Sequence, residues 1–317
     1  MRSIYILVTF TAVVLFNGIC NAQPQGITMD RINTTLPLEG APPAVPGPYE
    51  VTSEGAFGSP GHILFRPADL DAFPERDTLP VLVWGNGGCA VDSIRYGGFL
   101  STIASHGFLV MATASMEGDA RRQASAADLG AALDWVEAEN NRTVSPLKGR
   151  IDTDHIAVMG QSCGGILAIT LGADPRVDTI GVFNSGVSPP GANAADSPFP
   201  TTDALALIHG PVLLINGHER DFLMEASADN FKRIDHVPAF YGSRHNAGHT
   251  ATVFHPGGGE FANVASNWLR YQFKDDEKAA EMFVGDDCSL CTDPNWDADS
   301  KNIYFGDSHQ NLEINQK

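Results

Sequence analysis

Basic residues are scarce in this 317-residue chain, in which 20 lysines and arginines stand against 38 aspartates and glutamates. The formal net charge at pH 7 is −18 when the histidines are counted as neutral. Proteins bind nucleic acids and anionic membranes largely through Lys and Arg side chains. The charge balance therefore argues against nucleic acid or an anionic membrane surface as the partner.

Long apolar runs are also lacking, apart from one near the N-terminus at residues 4–19. That run is too short to span a membrane comfortably, and no second span follows it. Arg2 precedes the run, and small residues follow it up to Ala22, at the positions that a signal peptidase reads. This pattern predicts a signal peptide over residues 1–22 and a secreted protein, extracellular or periplasmic.

Cysteine is rare, and only Cys89, Cys163, Cys288 and Cys291 follow the predicted signal peptide. An oxidising compartment favours disulfides between such residues. Cys288 and Cys291 form a Cys-x-x-Cys motif, but no second Cys pair or helical redox context supports a zinc or redox site. We therefore interpret this motif as a local disulfide, and we expect no metal ion and no cofactor.

Two Asn-x-Thr triplets, at Asn33 and Asn141, fit the acceptor pattern for N-glycosylation. They are candidate glycosylation sites if the protein is exported by a eukaryotic host. Such triplets also arise by chance, so they do not identify the host.

The chain divides into four predicted segments. A signal peptide at 1–22 precedes an irregular arm at 23–47, rich in Pro and Gly. Residues 48–273 alternate apolar strand-like runs with helical patterns, which predicts one α/β domain with a parallel sheet covered on both faces. The charged remainder, 274–317, is predicted to be an irregular tail. We expect no large lid, because the Ser/Pro/Ala-rich stretch 184–203 lacks a helical pattern.

The sequence Gly160-Gln161-Ser162-Cys163-Gly164 matches a nucleophile turn, Gly-x-Ser-x-Gly. The match alone is weak, but an apolar strand at 156–159 precedes it and a helical pattern follows it. Glycines are needed there because the serine lies in a strained turn against neighbouring backbone. We predict Ser162 as a nucleophile; the alternative is a structural serine in a glycine-rich turn.

A second glycine-rich stretch, residues 85–89, follows the first buried strand of the predicted domain. Acyl transfer needs two N–H groups directed at the developing oxyanion, one after the nucleophile and one from such a loop. We assign these donors to Cys163 and Asn86, with Gly87 as the alternative to Asn86.

A serine nucleophile also needs a histidine base and an acid that orients it, in the chain order Ser, acid, His. Asp221 is the favoured acid because it lies a few residues into the loop after a predicted strand, and Glu219 is the alternative. His249 is the favoured base because small residues surround it. His245 and His255 are the other candidates in that loop.

These motifs, together with Ala-Ser-His-Gly-Phe-Leu-Val at 104–110, resemble the dienelactone-hydrolase-like branch of α/β hydrolases. Secreted cutinase-like polyester hydrolases belong to that branch. The resemblance covers about the central two-thirds of the chain. It implies an α/β-hydrolase fold, with a mostly parallel central sheet and helices on both faces.

By this resemblance Ser162, Asp221 and His249 form the catalytic triad, and Asn86 and Cys163 form the oxyanion hole. The chain departs from those polyester hydrolases at three places, one of which is the tail with Cys288 and Cys291. Those hydrolases usually carry Met at the position of Cys163, and their oxyanion loop bears an aromatic residue that the stretch 85–89 lacks.

In this fold Cys89 and Cys163 follow adjacent strands. We hypothesise a disulfide between them that fixes the oxyanion loop to the nucleophile turn, the alternative being two buried free thiols. The leading functional hypothesis is a secreted carboxylic-ester hydrolase with a small-molecule or polymeric ester substrate. An amidase or peptidase using the same triad, and an inactive binding protein of the same fold, are the alternatives.

Overall fold

The computed structural model describes residues 38, 40–71, 73, 77–116, 122–192 and 197–304. The predicted signal peptide and Asn33 lie outside this part of the chain. The strands are β1 Val51–Gly55, β2 His62–Pro67, β3 Leu79–Gly85, β4 Leu109–Thr113, β5 Ile151–Gln161, β6 Thr179–Phe183, β7 Val212–Gly217, β8 Ala239–Arg244 and β9 Trp296–Lys301. The α-helices are α1 Gly97–Ser105, α2 Ala126–Asn141, α3 Cys163–Leu171, α4 Met224–Arg233, α5 Gly259–Lys274, α6 Glu277–Ala280 and α7 Ser289–Thr292.

These strands form one sheet in the order β1-β2-β4-β3-β5-β6-β7-β8-β9. The six strands from β4 to β8 in this order are parallel to one another. The pairs β1–β2, β2–β4 and β8–β9 are antiparallel, so the antiparallel strands lie at the two sides. The predicted mostly parallel sheet is confirmed, and it is open rather than closed into a barrel.

Where helices cover both faces of the sheet, the parallel strands are mostly apolar and buried. Every residue of β3 is buried. Leu133 of α2 and Leu167 of α3 belong to the hydrophobic core on one face, and Phe99 of α1 and Trp268 of α5 belong to the core on the other. Removing this apolar area from water is the main force that holds helices and sheet together.

No lid covers the sheet in the described residues between β6 and β7. Residues 184–192 and 197–211 contain one helix, the short 3-10 helix Thr202–Leu207. No helix in the described ranges is long and apolar enough to cross a membrane. The candidate glycosylation site Asn141 is exposed at the end of α2, and its modification stays a prediction.

The prediction of an irregular tail from residue 274 is wrong for its described part. This segment contains α6, α7 and the edge strand β9, which pairs with β8. Its sequence gives no clear strand signal, because this edge strand carries Asp, Ser and Lys and buries only Trp296. Residues 40–47, in the predicted N-terminal arm, contain neither helix nor strand.

A buried ion pair joins this edge of the sheet to α5. Arg244, the last residue of β8, donates its Nε–H to Glu260 Oε2 at 2.8 Å, and the two side chains are 1 % and 6 % exposed. Trp296 of β9 donates its indole N–H to Glu260 Oε1 at 2.8 Å. The Glu260 carboxylate therefore receives bonds from both β8 and β9.

We expect Glu260→Gln to destabilise the protein by about 3–5 kcal/mol, because it leaves the buried Arg244 guanidinium without its counter-charge. Asp229→Asn is the matched control, since its ion pair with Arg233 is solvent-exposed, at 42 % and 46 %, and is worth about 0–1 kcal/mol. Urea unfolding of both variants measures the difference. Equal losses of unfolding free energy in the two variants would contradict the assignment.

Candidate active site

The nucleophile turn connects β5 to α3. Ser162 has φ 53° and ψ −120°, a positive φ that is strained for a residue with a side chain. The glycines around it are sterically required: a Cβ on Gly160 would lie 2.3 Å from Gly164 C, and one on Gly164 would lie 2.0 Å from Gly85 O. Ser162, the N-cap residue of α3, is partly exposed to solvent.

A continuous hydrogen-bonded chain runs through the three residues predicted as the triad. His249 Nε2 lies 2.8 Å from Ser162 Oγ. His249 Nδ1 lies 2.9 Å from Asp221 Oδ1. Asp221 and His249 are 2 % and 6 % exposed, so solvent hardly reaches either side chain. The structure thus brings together a hydroxyl, an imidazole and a carboxylate in the geometry of an activated serine.

Three further donors orient the Asp221 carboxylate. Oδ2 accepts the Asn184 amide at 2.7 Å and the Gly217 N–H at 3.2 Å. Oδ1, which faces His249, also accepts the Leu223 N–H at 3.1 Å. The carboxylate is buried but satisfied, which fixes the direction from which it holds the imidazole.

The alternative acid and bases lie elsewhere. Glu219 contacts His218 rather than His249. His245 lies 3.0 Å from Asp297. His255 precedes the 3-10 helix Pro256–Gly258 as its N-cap residue. None of these contacts involves the nucleophile.

The contacts of the oxyanion loop distinguish between Asn86 and Gly87, the two alternatives for its N–H donor. Gly87 N–H is already bonded to Tyr96 Oη at 2.8 Å. The Asn86 side chain points inward, where its amide donates to Ala90 O and Ser93 Oγ, both at 2.8 Å. The main-chain N–H of Asn86 is therefore favoured as the loop's donor. Cys163, at the first position of α3, offers an N–H with no acceptor inside the helix.

Both expected disulfides are present. Cys89 and Cys163 are bonded across a sequence separation of 74 residues, and Cys288 and Cys291 across 3. The first bond joins the end of the oxyanion loop to the residue that follows Ser162. It thus ties the two candidate donor segments together covalently.

Two buried side chains that the sequence analysis missed connect the same loop to the base. Tyr96 accepts from Gly87 N–H and donates to Gln161 Oε1 at 2.9 Å. Gln161 Nε2 donates to His249 O at 2.9 Å. Burial raises the pKa of the Tyr96 phenol to about 12, so the hydroxyl keeps its proton and can donate. No spacing rule links Tyr96 to Gln161, which lies 65 residues away.

The sequence analysis also does not predict Phe222 and Asn184, which contact His249 and Asp221 respectively. The Phe222 ring lies over the His249 ring, with 4.0 Å between centroids and 35° between planes. The one sequence feature that could have indicated Phe222 is its position directly after Asp221. The packing restricts the imidazole to a plane from which it reaches both Ser162 and Asp221.

A family profile described as PET hydrolase-like (PETase) matches residues 89–295. The chain belongs to the PET hydrolase-like family. This confirms the resemblance to cutinase-like polyester hydrolases and indicates a hydrolase that acts on esters. A search of curated proteins finds no match.

The two disulfides of this PET hydrolase-like protein should differ in their effect on stability. We expect the double variant Cys89→Ser/Cys163→Ser to lose about 4 kcal/mol of unfolding free energy, because a long loop is freed in the unfolded chain. The control Cys288→Ser/Cys291→Ser frees a very short loop and should lose roughly 1.5 kcal/mol. Urea unfolding without reductant measures both, and equal losses would contradict the loop-closure explanation.

Tyr96→Phe tests the hydrogen bonds that connect the oxyanion loop to the base. The variant keeps the ring but removes the hydroxyl that holds Gly87 and Gln161, so we expect kcat to fall roughly 10-fold with little change in KM. Steady-state hydrolysis of a p-nitrophenyl ester measures both constants. Tyr304→Phe, at a side chain that is 61 % exposed, is the control. A lower melting temperature with unchanged kcat would show that Tyr96 is merely structural.

Proposed function

We propose that this protein is a secreted serine hydrolase that cleaves carboxylic esters through a Ser162–His249–Asp221 triad and an acyl-enzyme intermediate. The observation that carries the proposal is the continuous contact from Ser162 Oγ to His249 Nε2 at 2.8 Å and from His249 Nδ1 to Asp221 Oδ1 at 2.9 Å. Membership of the PET hydrolase-like family supports the ester as the reacting group.

The reaction begins when Ser162 Oγ attacks the acyl carbon and its proton passes to His249 Nε2. Asp221 stabilises the resulting imidazolium without taking its proton. The negative charge on the substrate oxygen is held by the N–H groups of Cys163 and Asn86. His249 then protonates the leaving alcohol, and a water molecule activated by His249 releases the acid from Ser162.

A polymeric ester is the substrate class that the surroundings of Ser162 favour. Ser162 is partly exposed, and the described residues between β6 and β7 form a loop with one short 3-10 helix rather than a helical cover. A chain too long to enter an enclosed cavity can reach such a nucleophile from the surface. The polyester-hydrolase family agrees with this choice.

Export is the second part of the proposal. The first 22 residues have the charge, apolar run and small-residue site of a cleaved signal peptide. The two disulfides agree with folding in an oxidising compartment.

A fluorophosphonate probe and a substrate series test the function. We expect the probe to label the mature protein and not Ser162→Ala, whose kcat should fall by roughly 10⁴–10⁶-fold. Hydrolysis of p-nitrophenyl esters of increasing acyl length, and of an aromatic polyester film, identifies the ester class. Ser185→Ala removes a neighbouring hydroxyl that bonds Ser162 O rather than its side chain, and serves as the matched serine control.

Equal labelling of the wild-type protein and Ser162→Ala would refute Ser162 as the nucleophile. Labelling of Ser162 with amide turnover and no ester turnover would favour an amidase. Soluble esters hydrolysed at normal rates without product release from the film would restrict the function to small esters.

A further inference from the structure

Asn184, the residue that follows β6, has a left-handed backbone although it carries a side chain. Its φ is 47°, a region in which a Cβ is strained and which asparagine enters more readily than most residues. The residue is fully buried, and its backbone N–H donates to Ile215 O at 2.7 Å. Strain of this kind persists only where the surroundings hold it in place, and such positions cluster at functional sites.

The Asn184 side chain joins the two loops that carry the proposed acid and base. Its Nδ2 lies 2.7 Å from Asp221 Oδ2 and 3.3 Å from Gly248 O, in the residue immediately before His249. An ionised carboxylate and a carbonyl only accept hydrogen bonds, so both contacts need an N–H group. A side-chain amide carries two N–H groups on one nitrogen and can supply both contacts at once.

This orientation leaves the amide oxygen of Asn184 unsatisfied. Oδ1 is buried and has no hydrogen-bond partner in the part of the chain that the structure describes. A buried polar atom without a partner costs free energy, yet the opposite orientation is worse, because it turns Oδ1 towards two acceptors. The fold therefore accepts a positive φ and an unpaired oxygen at the one side chain that connects Asp221 to Gly248.

We propose that Asn184 is a positioning residue of the triad, which holds the Asp221 carboxylate and the Gly248 carbonyl at a fixed separation. The His249 imidazole is thereby kept in line between Asp221 and Ser162. The inference rests on the proposed function, in which Asp221 and His249 serve as acid and base. Asn184 acts through these two residues and not on the substrate.

Asn184→Asp gives this role a pH signature. The new side chain has nearly the same shape, but it can donate to Asp221 only while it is protonated. Two carboxyl groups at this distance share one proton at low pH and repel each other once both are ionised. His249 titrates in both proteins, so a ratio of activities reduces its contribution. Burial raises the pKa of Tyr241, and the Asp221 charge raises it further, so this neighbour keeps its proton.

Steady-state hydrolysis of a p-nitrophenyl ester by the mature protein tests the proposal. We expect Asn184→Ala to lower kcat roughly 10- to 100-fold with little change in KM, because a hydrogen bond to a charged group is lost. Asn216→Ala is the matched control. Asn216 is also fully buried and also has an unpaired Oδ1, but its amide donates to Ser227 Oγ at 2.7 Å and not to a triad residue.

The pH series separates positioning from a structural role. From about pH 6 to about pH 9 we expect the ratio of kcat/KM of Asn184→Asp to that of the wild-type protein to fall roughly 10-fold. The same ratio for Asn184→Ala should stay constant. Asn184→Gly covers variants that fold poorly, because glycine accepts the positive φ while removing the amide. It should melt no lower than Asn184→Ala and show the same loss of kcat.

A wild-type kcat in Asn184→Gly would overturn the proposal, as would a ratio for Asn184→Asp that does not change with pH. An equal loss of kcat in Asn184→Ala and Asn216→Ala would reduce Asn184 to a structural residue. Failure of the proposed function is a different result: a wild-type protein that the fluorophosphonate probe does not label and that turns over no ester.

Discussion

The close contact between the backbones of Gly85 and Gly164 determines how the candidate active site is assembled. Without side chains at these positions, the start of α3 packs directly against the end of β3, where a Cβ on Gly164 would lie 2.0 Å from Gly85 O. The nucleophile turn and the oxyanion loop can therefore lie side by side, because glycine at both positions lets the two backbones approach this closely. The same approach brings Cys89 and Cys163 within disulfide distance, with their Cα atoms 5.2 Å apart.

His249, the proposed base, is positioned through contacts from several directions. Asp221 holds one ring nitrogen, Phe222 covers a face of the ring, and Gln161 holds the backbone oxygen of His249. Gln161 is in turn bonded to Tyr96, which holds the oxyanion loop at Gly87. Hydrogen bonds thus join Ser162, His249 and Asp221 to the loop at Gly87 in one network, in which each polar group restrains the next.

Local patterns were sufficient to predict the parallel strands and the nucleophile turn. Buried strands such as β3 are apolar throughout, and the glycines at 160 and 164 mark the turn within five residues. The choice of Asp221 over Glu219 rested on position in a loop, and the choice of His249 over His245 and His255 on the small residues around it.

Residues whose role depends on a distant partner could not be predicted from sequence. Tyr96 and Gln161 carry no pattern of their own, and their hydrogen bond exists only after β3 and β5 have paired. The edge strand β9 was mistaken for an irregular tail because one of its sides faces solvent. Its burial depends on Trp296 meeting Glu260 of α5, which is a tertiary contact and not a periodicity.

Because β9 follows the other described strands in the chain, its pairing with β8 can form only late in synthesis. Trp296 follows Glu260 by 36 residues, so β8 and the Arg244–Glu260 pair emerge from the ribosome before the strand that covers them. Until residues 296–301 arrive, β8 presents an unpaired edge of N–H and C=O groups, the kind of edge that recruits other chains. A polypeptide released before Trp296 would keep the triad residues and still expose this edge. In the described residues β9, which carries Asp297, Asp299 and Lys301, thus replaces β8 as the edge of the sheet.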